Sequence, residues 1–137
     1  MDTYEKRMVE DIEAVQVGCY NDIHNLHKYP KEISGQILGK LIEWACQPQN
    51  VTAIILARKK IDEINKDWLK LCLLDVAGEY IDFSDYWEYR RLLELVVQVL
   101  PELRTAALEL CGDSEDEDIR EVIEDFRFCG SDSRFQG

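Results

Sequence analysis

Apolar residues recur at steps of three and four along most of this chain, the spacing of one helical face. No stretch alternates with the period of two that a half-buried strand requires. The pattern is most legible over residues 82–100. There Tyr89, Leu92, Leu93, Val96, Val99 and Leu100 make one stripe, while Asp85, Glu88, Arg91 and Gln98 fall on the opposite side. Ser84 or Asp85 can cap this helix, because a short side-chain oxygen accepts a bond from a first-turn N–H that has no partner inside the helix. Pro101 stops it and suits the first turn of the next.

The same reading extends outward. Residues 2–17 predict a helix with Tyr4, Met8, Ile12 and Val15 inward, interrupted at Gly18. Residues 21–28 predict a short helix ending before Pro30, since a residue that precedes proline avoids helical angles. Residues 31–47 carry Ile33, Ile37, Leu41, Trp44 and Ala45, widened by Leu38 and Ile42. Gly35 and Gly39, four apart, form a shallow strip where another helix can approach closely, at a cost in helix stability. Residues 51–65 place Ile54, Ile55, Ala57, Ile61 and Ile64 inward behind a possible Asn50 cap, with Arg58, Lys59 and Lys60 as a basic band. Residues 68–81 carry Trp68, Leu71, Cys72, Leu74, Val76 and Tyr80. Residues 102–111 turn Leu103, Ala106, Ala107 and Leu110 inward and stop at Gly112. The last helix, 115–128, is capped by Ser114 or Asp116 and buries Ile119, Val122, Ile123 and Phe126. Acidic residues crowd its first turn, where the helix dipole favours them. Residues 129–137 predict a frayed tail.

These helices fall into pairs joined by short turns: 31–47 with 51–65, 68–81 with 84–100, and 102–111 with 115–128. Starts recur at intervals of about 35 residues, a period typical of stacked helical pairs. One amphipathic pair cannot bury both faces, so pairs stack. The expectation is an all-α single domain over residues 1–128, a HEAT-like α-solenoid of about three pairs with an N-terminal capping region.

Charge sharpens the functional reading. The 137-residue chain carries −12, and residues 101–137 alone hold eleven acidic against four basic side chains. Residues 67–100 add seven acidic against three basic, whereas residues 30–66 are slightly basic. That distribution disfavours direct binding of nucleic acid phosphates and favours a cationic protein partner, whose encounter it would speed. No apolar run approaches the ~20 residues of a membrane span, and no apolar signal core follows the first residues, so a cytoplasmic location is expected. Five cysteines at wide spacing, with no CxxC, argue against a disulfide framework. Cys46, Cys72 and Cys111 are expected as buried small apolar groups, with Cys19 and Cys129 more accessible.

Candidate chemistry is thin. Cys19, His24 and His27 could supply three metal ligands, but no second cysteine lies at metal-finger spacing. The acidic run from Asp113 lacks the glycine that a calcium loop needs at its sixth position, where Asp118 stands. The glycines form no phosphate cradle. No cofactor or metal is expected, and no enzymatic activity. What stands out is an aromatic and acidic cluster. Asp82, Asp85, Tyr86, Trp87 and Glu88 mark one helix start; Glu115, Asp116 and Glu117 mark the next. In a solenoid these starts would form a single acidic edge with aromatic anchors, the composition of an interface centre.

Several runs carry a resemblance: Leu41-Ile42-Glu43-Trp44-Ala45-Cys46, Ala57-Arg58-Lys59-Lys60-Ile61, Trp68-Leu69, Trp87-Glu88-Tyr89-Arg90-Arg91-Leu92-Leu93-Glu94-Leu95, Asp118-Ile119-Arg120-Glu121 and Glu124-Asp125-Phe126. Over residues 36–128 the chain resembles small HEAT-like helical proteins of bacteria, several of them similar to immunity proteins encoded beside secreted polymorphic toxins. The resemblance implies a non-catalytic module that neutralises a cognate toxin domain, expected to be basic, by covering its active site. A helical-repeat scaffold or adaptor that holds a peptide or assembly partner is the alternative. The resemblance covers fold and style and brings no functional residues with it.

Overall fold

All regular structure among the described residues is helical, as the apolar spacing predicts. The computed structural model describes residues 3–128; the tail expected over 129–137, Cys129 included, lies outside the described residues. The order is α1 (Thr3–Val15), a 3-10 segment (Tyr20–Lys28), α2 (Lys31–Ala45), α3 (Val51–Asp62), α4 (Lys66–Tyr80), α5 (Tyr86–Val99), a 3-10 turn (Pro101–Leu103), α6 (Arg104–Glu109) and α7 (Glu117–Phe128).

Local side-chain chemistry sets the boundaries. Asp85 rather than Ser84 caps α5, its Oδ1 accepting the N–H groups of Trp87 and Glu88 at 3.0 Å each. Asn65 caps α4 by accepting the Trp68 N–H at 3.0 Å, which draws the start of that helix back to Lys66. Asn50 precedes α3 with φ +66° and makes no cap bond; its amide donates to Gln47 Oε1 at 3.0 Å. The turn after α1 needs glycine, because Gly18 sits at φ +86°. Glu13 closes that turn by accepting the N–H groups of Gly18 at 2.8 Å and Tyr20 at 3.0 Å. Those bonds, Tyr20 first, hold the Glu13 carboxyl below its usual range.

The core runs through α2 and α5. α2 packs against α1, α3 and α4, and α5 packs against α6 and α7 while touching α2 and α3. Ile37, Leu38, Leu41 and Ile42 meet the fully buried Leu92, Leu93, Leu95 and Val96 within one apolar cluster. Each such side chain contributes roughly 1.5–3 kcal/mol through its removal from water. Tyr89 is also fully buried, and its hydroxyl donates to the Ala107 carbonyl at 2.7 Å, tying α5 to α6. Trp44 ties α2 to α1 by donating to Asp11 Oδ2 at 2.8 Å.

Polar contacts fix the direction of neighbours. Arg91 donates to the carbonyls of Gln47 and Pro48, just before α3, and Glu94 meets Arg58 further along α3. α3 and α5 therefore run the same way. Phe83 and Ser84, before α5, share a depression with Asp113 and Asp116, before α7. Arg90 meets Asp125 further along, so α7 runs parallel to both. The second members of the three expected pairs thus lie side by side. The expected pairing of residues 68–81 with 84–100 is not formed: α4 packs on α2 instead of on α5, which packs on α6, α7, α2 and α3.

Several inward positions are not where periodicity put them. On α4 the buried residues are Leu69, Leu73 and Ala77, while Leu71 is 81% exposed and Trp68, Cys72, Leu74, Val76 and Tyr80 are only partly covered. The helix is apolar on two arcs, and contact with α2 selects the other one. Ile55, Ala106 and Leu110 are exposed as well. The glycine strip is half realised: a Cβ on Gly39 would overlap the Tyr80 ring, whereas nothing lies within 4 Å of one on Gly35. Cys19 and Cys46 are buried, and Cys72 and Cys111 are half-buried, so Cys19 is less accessible and Cys72 and Cys111 more accessible than expected.

Candidate protein-binding edge

Cap formation places the two acidic clusters. Asp85 at the start of α5 and Asp116 at the start of α7 both terminate loops that meet, and Cys111 Sγ lies 3.6 Å from the Phe83 carbonyl oxygen. Between them is a shallow depression of about 300 Å³, with Phe83 and Ser84 on one side and Leu110, Asp113 and Asp116 on the other. The starts of α5 and α7 thus adjoin, but of the expected edge residues only Asp116 lines this depression; Asp85 and Glu88 line a separate one with Glu43, Gln47 and Ile81.

The two aromatic residues that open α5 rest on each other and on arginines. Trp87 is 44% exposed and meets Tyr86 edge-to-face, with ring centroids 5.1 Å apart. The Arg91 guanidinium lies 5.1 Å from the Trp87 ring, and Arg90 lies 5.7 Å from the Tyr86 ring. Both arginines are themselves fixed. Arg90 donates to Tyr86 Oη at 3.2 Å and to Asp125 at 2.9 Å. Arg91 donates to Glu94 at 2.9 Å besides the carbonyls before α3. Burial pushes the Glu94 carboxyl up, but hydrogen bonds from Arg91 and Arg58 more than offset it and leave it below its usual range. An aromatic held on an arginine loses little side-chain freedom on contact, which suits an anchor.

The carboxylates divide into two groups. Asp82 accepts both the N–H and the hydroxyl of Ser84, at 2.9 and 2.6 Å, and the hydroxyl bond above all holds its carboxyl below the usual range. Glu88 accepts the Asp82 N–H at 3.2 Å. Asp116 caps α7 through the Asp118 N–H at 2.8 Å. Asp82, Asp85, Glu88 and Asp116 thus shape the loops as well as charging them, a role that sequence spacing predicts only for the caps. Glu115 and Glu117 stand exposed beside Asp113 and Asp118. All of these groups contribute to one negative field, because a carboxylate that accepts a hydrogen bond keeps its charge. Phe83 and Leu110 were missed as edge residues; only the meeting of the two loops, residues 82–85 and 110–116, identifies them.

The basic band offers no comparable surface. Arg58 donates to Glu94 at 2.6 Å, and Lys60 donates to the Tyr20 carbonyl at 3.0 Å while lying 4.1 Å from that ring's centroid. Lys59 remains exposed. His24 is exposed and Cys19 buried, and among the described residues no group of three His, Cys, Asp or Glu side chains could hold a metal ion. No described helix is long and apolar enough to cross a membrane. What the edge can do chemically is attract and seat cationic groups. No family model, curated protein or solved structure matches this chain.

Proposed function

We propose that this chain is a non-catalytic protein-binding module, an immunity protein that neutralises a basic toxin domain by covering its active site. The observation that carries this reading is the meeting of the two acidic helix starts across one depression, with Trp87 exposed against Arg91 in the first turn of α5. Clustered exposed carboxylates speed the approach of a cationic surface, and a rigid aromatic slows its departure. The HEAT-like character belongs to the same proposal. It is supported by the parallel run of α3, α5 and α7 and by the side-by-side packing of α2 and α4.

The direct test is expression of the neighbouring reading frame's C-terminal domain with and without this chain. The reading requires that domain to arrest growth alone, and growth to return on co-expression. A neighbour that is harmless alone but forms a stable complex favours the scaffold or adaptor reading. A toxic neighbour that this chain neither binds nor neutralises contradicts the proposal.

A further inference from the structure

At the margin of the core α4 carries an apolar strip that runs out to solvent at Leu71. Leu69, Leu73 and Ala77 are buried, yet Leu71 is 81% exposed, and Trp68, Cys72 and Val76 stand half-covered beside it. Positions 68, 71, 72 and 76 follow one another at helical steps, so they make one continuous strip along the helix. α2 runs beside α4, held close where Tyr80 crosses Gly39, but at Gly35 nothing fills the space a side chain would take. A groove of about 720 Å³ lies there, lined by residues of both helices. Its rim carries Glu32, Asp75 and Glu79 against one lysine, Lys31, among the described residues that line it.

We propose that this groove seats a basic amphipathic helix of a partner protein, with an apolar side chain set over Gly35 against Trp68 and Leu71. The apolar floor supplies the contact that an unpartnered strip of this kind lacks. The acidic rim selects the flanks: Lys or Arg on either side of the occupant's apolar face would meet Glu32, Asp75 and Glu79. From Trp68 to Tyr80 the groove extends roughly 18 Å at 1.5 Å per residue, room for about three helical turns. A second copy of this chain is disfavoured as occupant, since each copy carries −12 and would bring further negative charge to an acidic rim. The groove shares none of the residues of the α5/α7 edge, so it stands whether or not that edge binds a toxin.

The test is selection from a displayed library of random peptides, roughly sixteen residues each, about four helical turns. The library is panned on the full chain and counter-selected on Leu71→Asp. The expected peptides carry apolar residues at i, i+3 or i+4, and i+7, flanked by Lys or Arg. A labelled selected peptide should bind the native chain and lose at least tenfold in affinity on Leu71→Asp. The same loss is expected on Glu32→Lys/Asp75→Lys/Glu79→Lys. It should be unaffected by Asp113→Lys/Glu115→Lys/Glu117→Lys, which alters the other edge. Peptides that are acidic, that bind Leu71→Asp equally well, or that are lost with the other edge overturn the proposal. So does failure to enrich any peptide against Leu71→Asp. Concentration-dependent dimers abolished by Leu71→Asp would place a second copy in the groove and overturn it equally.

Discussion

The Tyr80 ring occupies the space where a side chain on Gly39 would begin, and this contact draws α4 onto α2. Four residues earlier, Gly35 faces open space. The two glycines therefore predict opposite outcomes. Gly39→Ala forces the ring aside and should cost about 1–3 kcal/mol, the range for overpacking. Gly35→Ala removes only the helix penalty of glycine and should stabilise by up to about 1 kcal/mol. Urea denaturation of both variants checks this; equal effects would mean that the α2–α4 contact is not the one described.

Glu94 sits between Arg58, at 2.6 Å, and Arg91, at 2.9 Å. Glu94→Gln leaves two partly buried guanidinium groups short of a charged acceptor and should destabilise by about 2 kcal/mol. The folded-state pKa of Glu94 lies below its ordinary value of 4.5. Its stabilisation is therefore present above that ordinary value and lost as pH falls through the lowered one. The gap between native and variant proteins, measured by denaturation at neutral pH and near pH 3, should close at the acid end.

Thiol labelling distinguishes the cysteine environments. Burial pushes Cys72 up to about 11 and Cys46 up to about 12, so both thiols are protonated at neutral pH. Cys72 is half-exposed in the α2/α4 groove, whereas Cys46 and Cys19 are buried. A short alkylation pulse read by peptide mass spectrometry should modify Cys72 before either of them, at a rate that rises steeply with pH. Labelling of Cys46 ahead of Cys72 would contradict the described face of α4.

Carboxylates on the acidic edge should separate by role. Asp85→Ala removes the cap of α5 and should cost about 1 kcal/mol. Asp113→Lys/Glu115→Lys/Glu117→Lys touches no cap bond described above and should cost no more than about 1–2 kcal/mol, through lost attraction to the α7 dipole. A large loss in the triple variant would show that those residues hold structure.

How much of this was legible in the sequence depended on whether a residue's fate is decided locally. The body of α5 was readable because its apolar stripe is single and its cap and its proline stop lie within the same stretch. α4 was not, because apolar residues cover two arcs and only the approach of α2 decides between Leu73 and Leu71. The partners of the basic band were illegible for a related reason. The partners of Arg58 and Lys60 are Glu94 and the Tyr20 carbonyl, 36 and 40 residues away, and no local spacing announces them. On the edge, acids at two helix starts were legible as caps and as charge. Phe83 and Leu110 emerged only when the loops met.

The most direct measurement of the proposed function is association kinetics with the toxin-like domain of the neighbouring reading frame, across a range of salt concentrations. Native protein should associate fast, with a rate that falls steeply as salt rises, because exposed charges act on encounter and are screened. Asp113→Lys/Glu115→Lys/Glu117→Lys should associate at least several-fold more slowly and with a flatter salt dependence. Its dissociation rate should stay near native, since Trp87 is untouched. An unchanged association rate and salt slope in the triple variant would contradict the account and reduce the acidic edge to a solvated surface.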